Sequence, residues 1–197
     1  MPPDRGRINQ RLRTRKDLLE AGLRLSAEGR QPSLDEIAAE AKVSRATAYR
    51  YFSSTEALLV EASADMSFPD LATLFAGQEA ASTVDRLVRL DRVTAAMIRD
   101  HEPAIRALVV SSMQQAMKAG EVPVRQNRRT PAIATALEPS RQQFSPDAYA
   151  MLEKALALVI GTEAMIVFKD VLGLSDRDAA KVRRWVIEAL VEKADGA

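Results

Sequence analysis

The chain has no cysteine and only one histidine among its 197 residues. The lack of cysteine excludes disulfides, zinc fingers, iron–sulfur clusters and thiol catalysis. With one histidine, no site that needs two or more His or Cys ligands can form within one chain, so we expect neither a metal site nor a cofactor. Glycine and proline are also scarce, at eight and nine residues, and this scarcity favours helices over a sheet with many turns.

Long apolar runs are missing as well. The most apolar stretch, residues 155–168, contains Glu163 and is too short and too charged to span a bilayer. The first 16 residues lack the apolar segment of a secretory signal. We therefore expect a soluble, cytoplasmic protein. The chain also lacks a phosphate-cradling glycine pattern and a nucleophile elbow, which argues against an enzyme.

Positive charge is concentrated at the amino end, although the formal net charge is only +1. Residues 1–16 carry six basic side chains and one acidic side chain. This basic arm suggests contact with a polyanion, but a solubilising, disordered tail would explain the composition equally well. The basic residues are Arg5, Arg7, Arg11, Arg13, Arg15 and Lys16.

Helix signals follow in close succession after the basic arm. A first helix is predicted from about Asn9 to Glu28, and Ser33 opens a second one (residues 34–41) through a capping box with Glu36. Ser44 caps a third helix, residues 45–52, and a fourth starts near residue 56. Three short helices with a tight turn between the second and third describe a helix-turn-helix unit.

The third helix of such a unit lies in the major groove of DNA. Its core-facing residues are predicted to be Ala48 and Phe52. Arginine can pair with guanine O6 and N7, and a threonine or alanine methyl can contact a thymine methyl. A small helical bundle with a solvated basic face would show the same generic pattern. The predicted exposed face consists of Arg45, Ala46, Thr47, Tyr49 and Arg50.

The segment from Asp35 to Leu59 carries Ile-Ala, Val-Ser-Arg, Thr, Tyr-Arg-Tyr-Phe and Glu-Ala-Leu-Leu at defined spacings. In these motifs the chain resembles the tetracycline-repressor (TetR) family of bacterial transcriptional regulators, over roughly a quarter of its length. The resemblance implies a basic arm and DNA-binding domain at residues 1–60 and a helical ligand-binding and dimerisation domain at 61–197. The predicted DNA-binding residues are Ser33, Ser44, Arg45, Ala46, Thr47, Tyr49, Arg50, Tyr51 and Thr55.

Two positions depart from the family pattern. Lys42 stands where the family often has glycine, which predicts a left-handed residue at a cost of about 1 kcal/mol. Thr55 stands where the family often has a lysine that contacts phosphate, and a hydroxyl can replace that contact but not its charge. We therefore hypothesise that the basic arm supplies phosphate contacts that partly offset the missing lysine.

Beyond residue 65, the pattern predicts an irregular segment at 66–82 and then helices only, so the fold class is all-α. The helices are expected at about 83–100, 103–118, 129–137, 146–172 and 176–194. Two long apolar helices from each of two subunits would form a four-helix dimer interface, but the same faces could instead pack within one subunit. These faces contain Leu152, Leu156, Val159, Ile160, Ile166, Val167 and Val171, then Val182, Trp185, Val186 and Leu190.

The resemblance also implies that this helical domain encloses a ligand. Methionine is frequent at permissive apolar sites but equally ordinary in a core. Glu163 could line a cavity, pair across the dimer interface or face water, and Arg125, Arg128 and Arg129 could bind an acidic ligand or form a solvated loop. The candidate lining residues are Met97, His101, Met113, Met117, Phe144, Tyr149, Glu163 and Phe168.

Together these observations predict a homodimeric repressor that binds a palindromic operator in double-stranded DNA and is released by an unidentified small-molecule effector. The alternative is a helical adaptor that keeps the fold but binds no DNA.

Overall fold

The computed structural model describes residues 5–29, 31–66, 68, 70–78, 80–119 and 127–196. No strand occurs in these ranges, and the all-α prediction is confirmed. None of the helices found there is long and apolar enough to cross a membrane. The elements are α1 (Arg5–Ala27), α2 (Leu34–Glu40), α3 (Arg45–Tyr51), α4 (Thr55–Met66), α5 (Leu71–Phe75), α6 (Thr83–Asp100), α7 (Glu102–Ala119), α8 (Arg129–Leu137), a 3-10 helix (Glu138–Gln143), α9 (Pro146–Val159), α10 (Thr162–Ile166), a π-helical turn (Val167–Val171) and α11 (Asp176–Asp195).

The helices form two compact units, each with its own apolar core. The first unit comprises α1–α4 and α7, and the second comprises the other helices. The sequence predicts a single boundary after residue 60. The compact units divide differently because α7 packs against α4 and so belongs with the helix-turn-helix segment.

The core of the first unit forms where the apolar faces of α1 to α4 meet. Leu18, Ile37, Phe52 and Leu58 are fully buried there. Gly22 lets α1 and α4 approach closely, because a Cβ atom at this position would collide with the side chain of Leu58.

A buried ion pair joins α1 to α4 in this unit. Arg15 is 5% exposed and Glu61 is 6% exposed. The Arg15 Nε donates to Glu61 Oε1 over 2.7 Å, and its Nη2 pairs with Oε2. The guanidinium also lies 4.5 Å from the centre of the Phe52 ring, and its Nη1 donates to the Tyr51 carbonyl over 3.4 Å. Counting Arg15 among the arm residues available to a polyanion was therefore wrong, and residues 5–16 belong to the helix α1.

The irregular segment predicted at 66–82 contains a short helix, α5. Asp70 caps it by accepting hydrogen bonds from the amides of Ala72 and Thr73. A further hydrogen bond from the Thr73 hydroxyl to the carboxylate is the main reason that the pKa of Asp70 lies below its ordinary value.

The core of the second unit lies between α6, α8, α9 and α11. Arg183 on α11 holds Asp91 on α6 beside it, with its Nε 2.9 Å from each carboxylate oxygen. Burial raises the pKa of Asp91, and the positive charge of Arg183 opposes that rise. Each side chain of this pair provides the opposite charge that the other needs, because an unpaired charge would be costly to bury.

The single helix predicted at 146–172 is wrong, because α9 ends at Val159 and the chain turns at Gly161. Gly161 has φ 139° and ψ −167°, a conformation open essentially to glycine alone. A Cβ atom there would lie 2.6 Å from the guanidinium carbon of Arg129. The Arg129 Nη1 donates to the Ala157 carbonyl over 2.5 Å, and its Nη2 pairs with Glu163. The two charges whose roles the sequence leaves open therefore meet each other, whereas Arg125 lies outside the described residues.

The predicted apolar faces of the last helices divide between core and surface. Leu152, Leu156 and Ile160 are buried in the second core, so for these three residues the alternative of packing within one subunit holds. Val159, Ile166, Val186 and Leu190 are half-buried. Several large apolar residues remain exposed on α9, on the π-helical turn and the residue after it, and on α11. They are Met151, Leu158, Val167, Val171, Leu172, Val182 and Trp185.

Candidate nucleic-acid interface

Both helices of the helix-turn-helix begin at a serine cap. The Ser33 hydroxyl accepts from the Glu36 amide over 3.3 Å, and the Glu36 carboxylate accepts from the Ser33 amide over 2.8 Å, which confirms the capping box. The Ser44 hydroxyl accepts from the Thr47 amide over 3.1 Å. These local bonds satisfy backbone donors that a helix start leaves open and fix where α2 and α3 begin.

The turn between the two helices is closed by two backbone hydrogen bonds. The Val43 amide donates to the Ala38 carbonyl over 2.9 Å, and the Lys42 amide donates to the Ala39 carbonyl over 3.1 Å. This is the Schellman pattern, in which the residue after the cap adopts a left-handed conformation that glycine takes most easily. Lys42 has φ 56° and thereby confirms the left-handed residue predicted from the sequence.

The opposite sides of α3 have different surroundings. Ala48 and the following Phe52 are buried in the first core, as predicted, and anchor the helix. Tyr49 is 52% exposed, and Thr47 is half-buried with its hydroxyl 2.8 Å from that of Ser44. The remaining residues predicted to face outward are exposed, namely Arg45, Ala46 and Arg50.

Three other predicted DNA-binding residues lie outside this exposed side of α3. Ser33 is exposed at the start of α2, and Thr55 is half-buried as the first residue of α4. Tyr51 is only 9% exposed and packs in the first core, with the Arg50 guanidinium 5.6 Å from its ring centre. Because its ring faces the core, we leave Tyr51 out of the candidate interface.

Sequence reasoning missed one charged residue of this surface. Asp35, the second residue of α2, lies with its Oδ2 2.7 Å from Nη2 of Arg45. The sequence marks Asp35 only as an acid in the first turn of a helix, and the approach of α3 becomes visible only in the fold. On this surface the Arg45 guanidinium therefore lies beside the Asp35 carboxylate, and the pair occupies only part of its N–H donors.

The candidate ligand residues are divided between the two units. His101, Met113 and Met117 lie at or in α7 of the first unit, where both methionines are exposed. In the second unit, Phe144 and Tyr149 are buried core residues, whereas Met97, Glu163 and Phe168 are half-buried. Across the described ranges, no three His, Asp or Glu side chains come together as a potential metal site.

Comparison with known proteins addresses the first unit. The family model described as "Bacterial regulatory proteins, tetR family" matches residues 18–62, which include the end of α1, all of α2 and α3, and most of α4. No curated protein and no solved structure matches the chain significantly. The matched residues are those that build the capped, solvent-facing helix-turn-helix. Residues 18–62 therefore carry the DNA-binding segment of the tetR family of bacterial regulatory proteins, which supports a DNA-binding transcriptional regulator of that family.

Proposed function

We propose that this regulator is a homodimeric repressor that reads a palindromic operator through the exposed side of α3 and leaves it when a small-molecule effector binds. The observation that carries the proposal is the two-sided environment of α3. Ala48 and Phe52 fix its inner side in the core, and Arg45, Tyr49 and Arg50 stand in solvent on its outer side.

The exposed residues supply complementary contacts to a major groove. Arg45, at the first position of α3, is placed to read a base edge, because the amino-terminal residues of a recognition helix approach the bases. The methyl groups of Ala46 and Thr47 suit a thymine methyl. Tyr49, Arg50 and the hydroxyls of Ser33, Ser44 and Thr55 suit the phosphate backbone.

A second half-site requires a second subunit. A single helix-turn-helix gains little specificity, whereas a dimer reads two half-sites about 34–36 Å apart. The exposed apolar residues of α9, the π-helical turn and α11 support a dimer through this surface, since large exposed apolar patches mark interaction sites. Trp185, at 68% exposure, would be the largest side chain covered.

Release would follow from a change in the spacing between the two recognition helices. Successive major grooves demand a separation of about 34–36 Å, so a small tilt of each subunit is enough to lose one half-site. An effector produces this shift only if it binds the released state more tightly than the bound state. We place the effector in the second unit, where Met97, Glu163 and Phe168 are half-buried, and leave the buried Phe144 and Tyr149 to the core.

The test is DNA binding by the double variant Arg45→Ala/Tyr49→Ala, measured on DNA from upstream of the protein's own gene. Both side chains are exposed, so the variant should stay folded, with an unchanged circular dichroism spectrum, and should keep the oligomeric state of the wild type. Its affinity for the bound fragment should fall by at least about 100-fold, because the Arg45 base contact contributes about 1–3 kcal/mol in each of two half-sites and the phosphate contact of Tyr49 is lost as well. Arg184→Ala is the matched control, since Arg184 is an exposed arginine of α11 that is paired with Glu188.

Full binding by the double variant would contradict the proposal. An unchanged, weak affinity of wild type and variant for any DNA would favour the helical adaptor instead.

A further inference from the structure

We infer that Asp35 is a positioning residue that holds Arg45 for recognition of a G·C base pair. The inference rests on the proposed function, because it concerns how the same surface selects its sequence. The ion pair between α2 and α3 carries it, with 2.7 Å between Arg45 Nη2 and Asp35 Oδ2.

The backbone fixes both ends of this contact. Asp35 follows the Ser33 cap by two residues, and Arg45 directly follows the Ser44 cap, so the two side chains leave well-defined helix starts. Within the part of the chain that the structure describes, Asp35 is the one acidic partner of Arg45. The guanidinium has five N–H donors, and the pair uses one end of it. The remaining donors face solvent, where the side chain is 73% exposed.

The pair has little to contribute to folding. Its members are 73% and 37% exposed, and exposed ion pairs add almost nothing measurable to stability. An acid on a surface that approaches DNA also weakens binding to every sequence, because it repels phosphate. As an acid in the first turn of α2, Asp35 also stabilises the start of that helix. Restricting the many rotamers of Arg45 before binding is a separate benefit that appears only on the DNA.

Guanine is the base that this arrangement fits. Its major-groove edge offers two acceptors, O6 and N7, side by side, whereas adenine offers one acceptor and one donor. A planar guanidinium held at one corner presents two parallel donors to that edge. An arginine that is free to rotate would reach phosphates and other bases as well, with less discrimination.

The experiment is a selection of binding sites from a randomised double-stranded DNA library by the full-length protein. The proteins compared are wild type, Asp35→Ala, Asp35→Asn, Arg45→Ala and the double variant Asp35→Ala/Arg45→Ala. Asp17→Ala is the matched control, because it removes an exposed acid from α1 of the same unit. Circular dichroism and thermal melts verify that each variant folds.

We expect the wild type to select a motif with guanine at one position in each half-site, and Arg45→Ala to lose that preference. Asp35→Ala should lower discrimination at the same position by about tenfold while binding to unrelated DNA stays equal or rises. Asp35→Asn, which keeps an acceptor oxygen, should fall between Asp35→Ala and wild type. In the Arg45→Ala background, Asp35→Ala should change nothing further, and Asp17→Ala should select the wild-type motif.

A motif that is unchanged in Asp35→Ala would overturn the inference. So would an equal loss at all positions, or an effect of Asp35→Ala that persists without Arg45. If the wild type selects no motif at all, the proposed function itself is contradicted. This outcome can be told apart from a failure of the inference about Asp35, because it is seen with the wild type alone.

Discussion

Arg15 and Arg45 show how burial decides what a basic residue does in this chain. Both are arginines of the first unit with a carboxylate beside the guanidinium. Arg15 is enclosed between α1 and α4, so its charge is committed to Glu61 and to the Tyr51 carbonyl. Arg45 stands in solvent, so most of its donors remain available to a ligand. Stability is therefore the property that depends on Arg15, and recognition the property that depends on Arg45.

Glu61→Ala leaves the Arg15 charge buried without its carboxylate. Removing one partner of a buried ion pair costs about 3–5 kcal/mol, and we expect a loss of this size in the free energy of unfolding, measured by urea denaturation. Glu20→Ala is the control, because Glu20 pairs with Lys16 on the exposed side of the same α1. That variant should change stability by no more than about 0.5 kcal/mol. Equal, small losses in both variants would show that the buried pair is not what joins α1 to α4.

The accuracy of sequence reasoning at single residues follows the distance between partners along the chain. Ser33 and Ser44 bond to residues three positions away, and their capping roles are predicted correctly. Arg15 lies 46 positions from Glu61, and Arg129 lies 34 positions from Glu163. No local pattern reveals such partners, so the sequence places Arg15 in a charged arm and leaves three alternatives open for Glu163.

Among the helices, the break after α9 depends on one glycine. Gly161 adopts a backbone conformation that other residues strongly avoid, and the Arg129 guanidinium occupies the space of a Cβ atom. The turn ends α9 and separates it from α10, which begins at Thr162. Gly161, Arg129 and Glu163 thus act together, and the interruption is built into the fold.

Gly161→Ala tests whether Gly161 and Arg129 together stabilise the turn after α9, and Gly173→Ala is its control. Gly173 also has a positive φ of 62°, but nothing lies within 4 Å of the position that its Cβ would take. Its substitution should cost about 1 kcal/mol from backbone strain alone. Gly161→Ala should cost about 1–3 kcal/mol more, because its backbone region is nearly closed to alanine and the Arg129 contact must shift. Unfolding by urea measures both, and equal costs would contradict the role given to Arg129.

The same difference between local and distant signals explains which helices were predicted well. The bounds of α2, α3, α6, α7, α8 and α11 agree with the sequence to within a residue, because capping, turn and proline residues mark most of these ends. The helix expected at 146–172 is wrong because a single glycine inside an apolar run is tolerated in a helix, so Gly161 does not by itself predict a break. The helix α5 was missed for the opposite reason, since five residues are too few to establish a periodic pattern.

For the chain as a whole, the exposed apolar surface bears on assembly. The exposed apolar residues of α9, the π-helical turn and α11 have no covering element within the described parts of one chain. A second copy that uses the same surface would cover them with twofold symmetry, which is the commonest arrangement for homodimers.

Trp185→Glu is expected to convert the dimer to a monomer, because it places a charge in the middle of an apolar interface. Light scattering after gel filtration measures the molar mass, and circular dichroism should show an unchanged helical content. Met117→Glu is the control, since Met117 is an exposed apolar residue on α7 of the first unit. A dimeric Trp185→Glu variant would place the interface elsewhere.

The functional prediction is strong for the first unit and weaker for the second. Motifs such as Tyr-Arg-Tyr-Phe specify both the fold and the role of a DNA-binding segment, and the family match covers the same residues. The second unit carries apolar patterns that are compatible with a core, an interface or a ligand site. In the sequence, Tyr149 is a candidate ligand-lining residue and Leu152 belongs to an apolar face that could form a dimer interface, and both are core residues in the fold. The ligand residues and the effector therefore stay predictions.

The most direct test of sequence-specific DNA binding is fluorescence anisotropy with DNA from upstream of the protein's own gene, compared with a shuffled duplex at about 150 mM salt. Specific binding that exceeds non-specific binding by at least about 10³-fold is the result expected of an operator-reading regulator. A footprint on the same fragment should then show two half-sites about 34–36 Å apart along the helix. Equal and weak binding to both duplexes, followed by a genome-wide selection that enriches no fragment, would contradict the account.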